Sequence, residues 1–157
     1  MAFDLDINFE LTNNTDEVLQ LFEQAVDRSL ERCGLQAVSY ATDLAPVGTP
    51  ESTGIEGYIG GTLKQSITHR VDTAEDEVYI GTNSEYGVYV ELGTGIYAEG
   101  GGGRPTPWVW QDMNGKWHHT RGQEPQPFLR PAINNHKQTY RNIIEDELKN
   151  SGAGTIK

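Results

Sequence analysis

The sequence predicts an α+β fold: a long N-terminal helix and a C-terminal helix packed on one face of a mostly antiparallel sheet. Three observations lead there. Apolar residues recur every three or four positions from Asp16 to Leu44, the period of a helix. Between residues 63 and 120 the period falls to two over several short stretches, as strands require. After Pro131 the helical period returns. Strands gathered between helices fold as a sheet covered on one face. With 157 residues, the chain suits a single domain, 1–157.

The elements follow in order. Phe3, Leu5, Ile7 and Phe9 alternate with polar residues, which predicts a short half-buried strand. Asn13-Asn14-Thr15 breaks it. Asn14, with Glu17 three positions on, has the form of a capping box. The long helix, 16–45, carries the stripe Val18, Phe22, Val26, Leu30, Cys33, Ala37, Ala41 and Leu44, and Pro46 ends it. Gly34 marks a bend. At ~1.5 Å per residue the helix is roughly 45 Å long, so part of it is expected to pack on something outside the domain.

Residues 46–62 and 93–107 read as extended loops rich in Gly and Pro. Leu63 to Val71 begins with a helical turn and continues as a strand. Glu77 to Thr82 is a strand, and so is Tyr86 to Leu92, with Val88, Val90 and Leu92 on one face and Tyr89 and Glu91 on the other. VWQDM and KWHHT flank Asn114-Gly115, the pair suited to a two-residue hairpin turn. That register sets Asp112 opposite Trp117 and Trp110 opposite His119. Pro125, Pro127 and Pro131 delay regular structure until a helix over 131–149, with Ile133, Tyr140, Ile144 and Leu148 on its apolar side.

The chemistry is sparse. A net charge of −11 repels nucleic acid, although such a surface lets DNA slide past without binding. The single cysteine, Cys33, suits a reducing compartment and sits on the apolar stripe as a small hydrophobe. The first residues do not read as a leader, and no apolar run is long enough for a membrane span. Gly93 to Ala98 matches G-x-G-x-x-A in form. Four glycines and then Pro105 and Pro107 follow, so no helix can start there to hold a pyrophosphate. His118 and His119 are neighbours on a strand and point to opposite faces, which prevents them from sharing one ion. His119 is expected to stack on Trp110. No catalytic, cofactor-binding or metal-binding residue emerges, and no cofactor is expected. Trp108, Trp110 and Trp117 form either a local core under the hairpin or an interface anchor. Gly100 to Gly103 followed by Arg104-Pro-Thr-Pro-Trp is flexible and then stiff, which suits a segment that reaches away from the domain and orders on a neighbour.

Taken together, the segments Ala45-Pro46, Thr53-Gly54, LKQSI (63–67), IGTNSEYGVYVELGTG (80–95), PWVW (107–110) and GQEPQPFLRPA (122–132) carry a resemblance. Their order is similar to that of the tailed-phage neck and tail-completion proteins, which join head to tail. Leu92 stands where that family often has an aromatic, and the 46–62 loop is longer than usual. The resemblance implies a non-enzymatic structural protein of the virion neck or tail, assembled in the host cytoplasm. It implies a ring of copies, commonly six, between the head-side connector and the tail tube or its terminator, with genome DNA passing through. The expected anchors between copies or partners are Tyr97, Arg104, Trp108 and Phe128. Residues 48–61 and 96–104 are expected to be mobile in a lone chain, and deletion of Gly100 to Gly103 is expected to leave the fold intact. The alternatives are a tail terminator, a metal-dependent hydrolase using His118 and His119, and a module that captures a peptide on a strand edge.

Overall fold

A computed structural model describes residues 13–152. The expected strand at Phe3 to Phe9 and the end of the C-terminal tail lie outside the described residues. Helix α1 spans Thr15–Leu44. Asn14 makes no capping hydrogen bond; Asn13 Oδ1 takes the Thr15 amide (3.2 Å) and hydroxyl (2.5 Å) instead. Short helices α2 (Pro50–Thr53) and α3 (Thr62–Ser66) lead into strands β1 (Ile67–Asp72) and β2 (Glu77–Thr82). Helix α4 (Gly87–Leu92) and two single-turn 3-10 helices precede β3 (Trp108–Gln111) and β4 (Trp117–Thr120). Helices α5 (Leu129–Asn134) and α6 (Lys137–Asn150) end the described chain. No described helix is long and apolar enough to cross a membrane.

The α+β class stands, but the single sheet does not. Strands β1–β2 and β3–β4 form two separate antiparallel pairs. The stretch that was to link them, Tyr86 to Leu92, is helical. Its residues satisfy period two as well as helical spacing, and burial decides: Gly87, Val90 and Glu91 face inward together, three and four apart. Gly87 sits so close to β2 that a Cβ there would lie 2.4 Å from Thr82 Cγ2.

The inward face of α1 is made of small residues: Ala25, Ser29, Cys33, Gly34, Ala37 and Ala41, with Leu30. This lets β1–β2 approach closely. Gly34 lies within the continuous helix α1 and makes room for the His69 ring of β1, which bonds Glu31 at 2.9 Å. A Cβ at Gly34 would stand 2.3 Å from His69 Cδ2. Gly34→Ala should therefore destabilise by about 1 kcal/mol, since overpacking outweighs the gain in helix propensity. Urea denaturation checks this, and a stabilised variant would contradict it. At the other end of the stripe, Leu19 (53 %) and Phe22 (47 %) stand exposed.

The core joins Ala41, Ala45, Leu63, Ile67, Val90, Phe128 and Ala132. The C-terminal helix divides at Asn135-His136, where His136 stacks on Tyr40 at 3.5 Å between ring centroids. Tyr140 then donates to the Ala132 carbonyl across the break (2.7 Å). Glu147 of α6 pairs with Arg28 and Arg32 of α1, and those guanidinium groups hold its pKa below the usual carboxylate range. Tyr140, Ile144 and Leu148 are half-buried, whereas Ile133 is exposed. Burial raises the Cys33 thiol pKa, as befits a packed hydrophobe.

Candidate functional site

The hairpin register differs by one residue from the expected one. Gln111 pairs with Trp117 and Trp110 with His118. Asp112 causes the shift. Its buried carboxylate accepts the amides of Asn114 and Lys116, both at 2.9 Å, and bonds His118 Nε2 at 2.7 Å. A local side-chain turn replaces the two-residue turn. The His118 contact, with the two amides, holds the Asp112 pKa low. His118, not His119, stacks on Trp110 (4.6 Å, 18° between planes). His119 lies on the opposite, exposed face with Val109, Gln111 and Trp117. Among the described residues, no group of three or more His, Cys, Asp or Glu side chains gathers to hold a metal ion.

Segment 46–62 is largely without regular structure but holds one short helix, α2. Thr49 and Ser52 cap α2 reciprocally, with Pro50 in its first turn and Gly54 left-handed at its end (φ 69°). Ile55 is buried, and the Tyr58 ring covers Gly48. The hairpin tip is tied to this segment: Asn114 Nδ2 donates to the Glu56 carbonyl at 3.1 Å. Between segment 46–62, α4 and the inner face of the hairpin lies an open groove of ≈ 710 Å³. Tyr58, Tyr86, Trp108 and Trp110 supply its aromatic walls, and Leu63 and Val90 also line it.

The first part of segment 93–107, residues 94–99, folds back on its own chain instead of reaching away. The Thr94 and Ile96 amides donate to the Gln123 and Arg121 carbonyls at 2.8 and 3.0 Å. Glu99 then forms a fork with Arg130 at 2.7 and 2.9 Å. Arg130 also binds Glu91 through Nε at 2.8 Å. Glu91 is buried, yet its carboxylate takes the amides of Phe128, Leu129 and Arg130 at the start of α5. Burial disfavours its charge, but Arg130 and the three amides outweigh burial and leave its pKa below the ordinary value. The same Arg130 holds Glu99 low. One buried carboxylate thus caps a helix distant in sequence and carries the arginine that anchors the glycine loop.

The four expected anchors do not converge. Tyr97 is exposed on a 3-10 turn. Arg104 is exposed with its guanidinium 5.7 Å from the Trp108 ring, and Trp108 lies in the groove wall. Phe128 is fully buried in the core (0 % exposed), so it is a packing residue and not an anchor. Glu91 and Arg130 were missed. Their signal was a glutamate inside an apolar run and an arginine inside PFLRPA, each out of place unless paired. Around α4 the chain leaves Tyr86, Val88, Tyr89 and Leu92 exposed, and Ile96 and Tyr97 beyond it.

A family model described as "Bacteriophage HK97-gp10, putative tail-component" matches residues 9–93, more than half of the chain. The chain belongs to this HK97-gp10-like family of phage tail components. No curated protein and no solved structure matches it. The family match ends at Gly93, two residues after Glu91. The Gln126 to Ala132 stretch lies beyond it, and Glu91 ties the matched part to that stretch through the start of α5.

Proposed function

We propose that this HK97-gp10-like chain is a non-enzymatic tail-completion component of the virion neck. One domain of each copy takes its place in a closed ring of identical copies between the head-side connector and the tail, with genome DNA passing through the acidic lumen. The observation that carries this reading is the exposed apolar face of α4 and the following turn, from Tyr86 to Tyr97, in a protein of net charge −11. An exposed run of this kind marks a surface that is covered in an assembly. A ring uses such a face heterologously, one face of each copy against a different face of the next. The negative charge disfavours adhesion of the passing DNA.

Complementation tests the reading. A phage lacking the gene should accumulate filled heads and complete free tails, and the purified protein should join them into infectious particles. Tyr89→Ser with Leu92→Ser should leave the fold intact and reduce joining at least about tenfold, the loss of roughly 1.4 kcal/mol per contact. Overlong tails in the deletion would assign tail termination instead, and normal particle yield would overturn the proposal.

A further inference from the structure

The groove has an uncharged lining in a chain of net charge −11. None of the residues lining its ≈ 710 Å³ carries a charge. Five exposed charged residues adjoin a lining residue in sequence, and four of them are acidic: Glu51, Glu56, Glu85 and Glu124, against Arg121. Aromatic rings spaced along an uncharged trough suit proline-containing extended chain, which enters already stiff and loses little entropy on binding. A cation at one end of such a segment would find carboxylates in excess among the residues that adjoin the lining.

The chain itself carries a segment of that description. Residues 104–107, Arg-Pro-Thr-Pro, are all exposed. Their backbone forms no hydrogen bond to any described residue; Arg104 Nε donates to Thr106 Oγ1 (3.2 Å), and the guanidinium rests over Trp108. The segment does not occupy its own groove: none of the four residues lines it. Pro107 directly precedes Trp108 of the groove wall, and the two prolines stiffen the segment where it leaves that wall.

We propose that the groove of one copy receives Arg104 to Pro107 of a second copy, with the prolines on Tyr58, Tyr86, Trp108 and Trp110 and Arg104 against the glutamates that adjoin the lining. At ~3.1 Å per residue the four residues extend about 12 Å. The contact is heterologous: a segment meets a groove, and each copy offers one of each. It rests on the ring reading only for its repetition around an axis.

The test uses the full chain and the peptide acetyl-Gly-Arg-Pro-Thr-Pro-amide, which contains no tryptophan. Titration into the millimolar range should shift tryptophan fluorescence saturably, through Trp108 and Trp110. Replacing both prolines by alanine, or the arginine by glutamate, should weaken binding at least about fivefold. Only the arginine effect should shrink with added salt. In sedimentation velocity, Arg104→Glu should reduce self-association, and Glu51→Lys with Glu56→Lys should restore it in the same chain. Equal binding of all three peptides, no saturable shift, or unchanged self-association in Arg104→Glu would overturn the proposal. Head–tail complementation is read separately: peptide binding with failed complementation would remove the neck assignment and leave the groove contact standing.

Discussion

Glu91→Gln should lower the unfolding free energy by about 3 kcal/mol, close to the cost of breaking a buried pair by removing one partner. The side chain is nearly enclosed and serves three amides and Arg130 at once. Glutamine keeps one acceptor oxygen, but its amide nitrogen meets donors where the carboxylate met them with an acceptor. The start of α5 then loses amide partners, and Arg130 loses the charge that positions it on Glu99. In thermal unfolding this corresponds to a fall of about 10 °C for a chain of this size. Glu145→Gln, in an exposed i,i+4 pair with Lys149, is the control and should have no measurable effect. The pH dependence has a definite sign. The folded pKa of Glu91 lies below its unfolded value of about 4.3, so its contribution is complete above that value and disappears as pH falls through the folded pKa. The gap between wild type and variant should therefore be widest near neutrality and close in acid. A gap that stays constant from neutral pH into acid would mean that the ionised carboxylate is not the stabilising species.

Much of the architecture was legible because long periodic segments leave little choice. The α1 stripe from Leu30 to Ala41, the helical turn into β1, and β2 all appear where the sequence places them. The errors fall where a short stretch satisfied two rules. Tyr86 to Leu92 alternates as a strand would, and only a distant arginine and three distant amides make burial of Glu91 favourable. Asn114-Gly115 has the right local chemistry for a tight turn, yet Asp112 offers two backbone amides and His118 a competing arrangement, and the register moves by one. The candidate site was legible in part. The tryptophans of the hairpin were visible as either core or interface, and Trp108 and Trp110 prove to be groove wall while Trp117 stays exposed. The other wall depends on how segment 46–62 folds back, which places Tyr58, and on the helical form of 87–92, which places Tyr86; no local pattern dictates either. Phe128 shows the opposite failure: an aromatic between prolines reads as surface until a core closes over it.

Gly95→Ala should cost about 3 kcal/mol or more, whereas Gly100→Ala, five residues on, should cost about 1 kcal/mol. Both glycines are left-handed, at φ 60° and 78°, and an L side chain pays a similar conformational penalty at each. Their surroundings differ. A Cβ at Gly95 would stand 2.0 Å from the Arg121 carbonyl oxygen and 2.8 Å from Gly122 Cα, both backbone atoms that no rotamer change can move. At Gly100 nothing lies within 4 Å. Relief at Gly95 requires residues 94–96 to separate from 121–123, and the Ile96 amide then loses the Arg121 carbonyl. Gly103 belongs with Gly95: its Cβ would lie 2.0 Å from the Gly95 carbonyl oxygen. Deletion of all four glycines from Gly100 to Gly103 should therefore disturb the fold, contrary to the expectation for a free loop, while changes confined to Gly100 and Gly101 should not. Urea midpoints rank the variants, and hydrogen exchange at the Ile96 amide locates the damage. Equal losses for Gly95→Ala and Gly100→Ala would show that segment 93–107 is not held against 121–123, and the fixed placement of Arg104 beside the groove would fall with it.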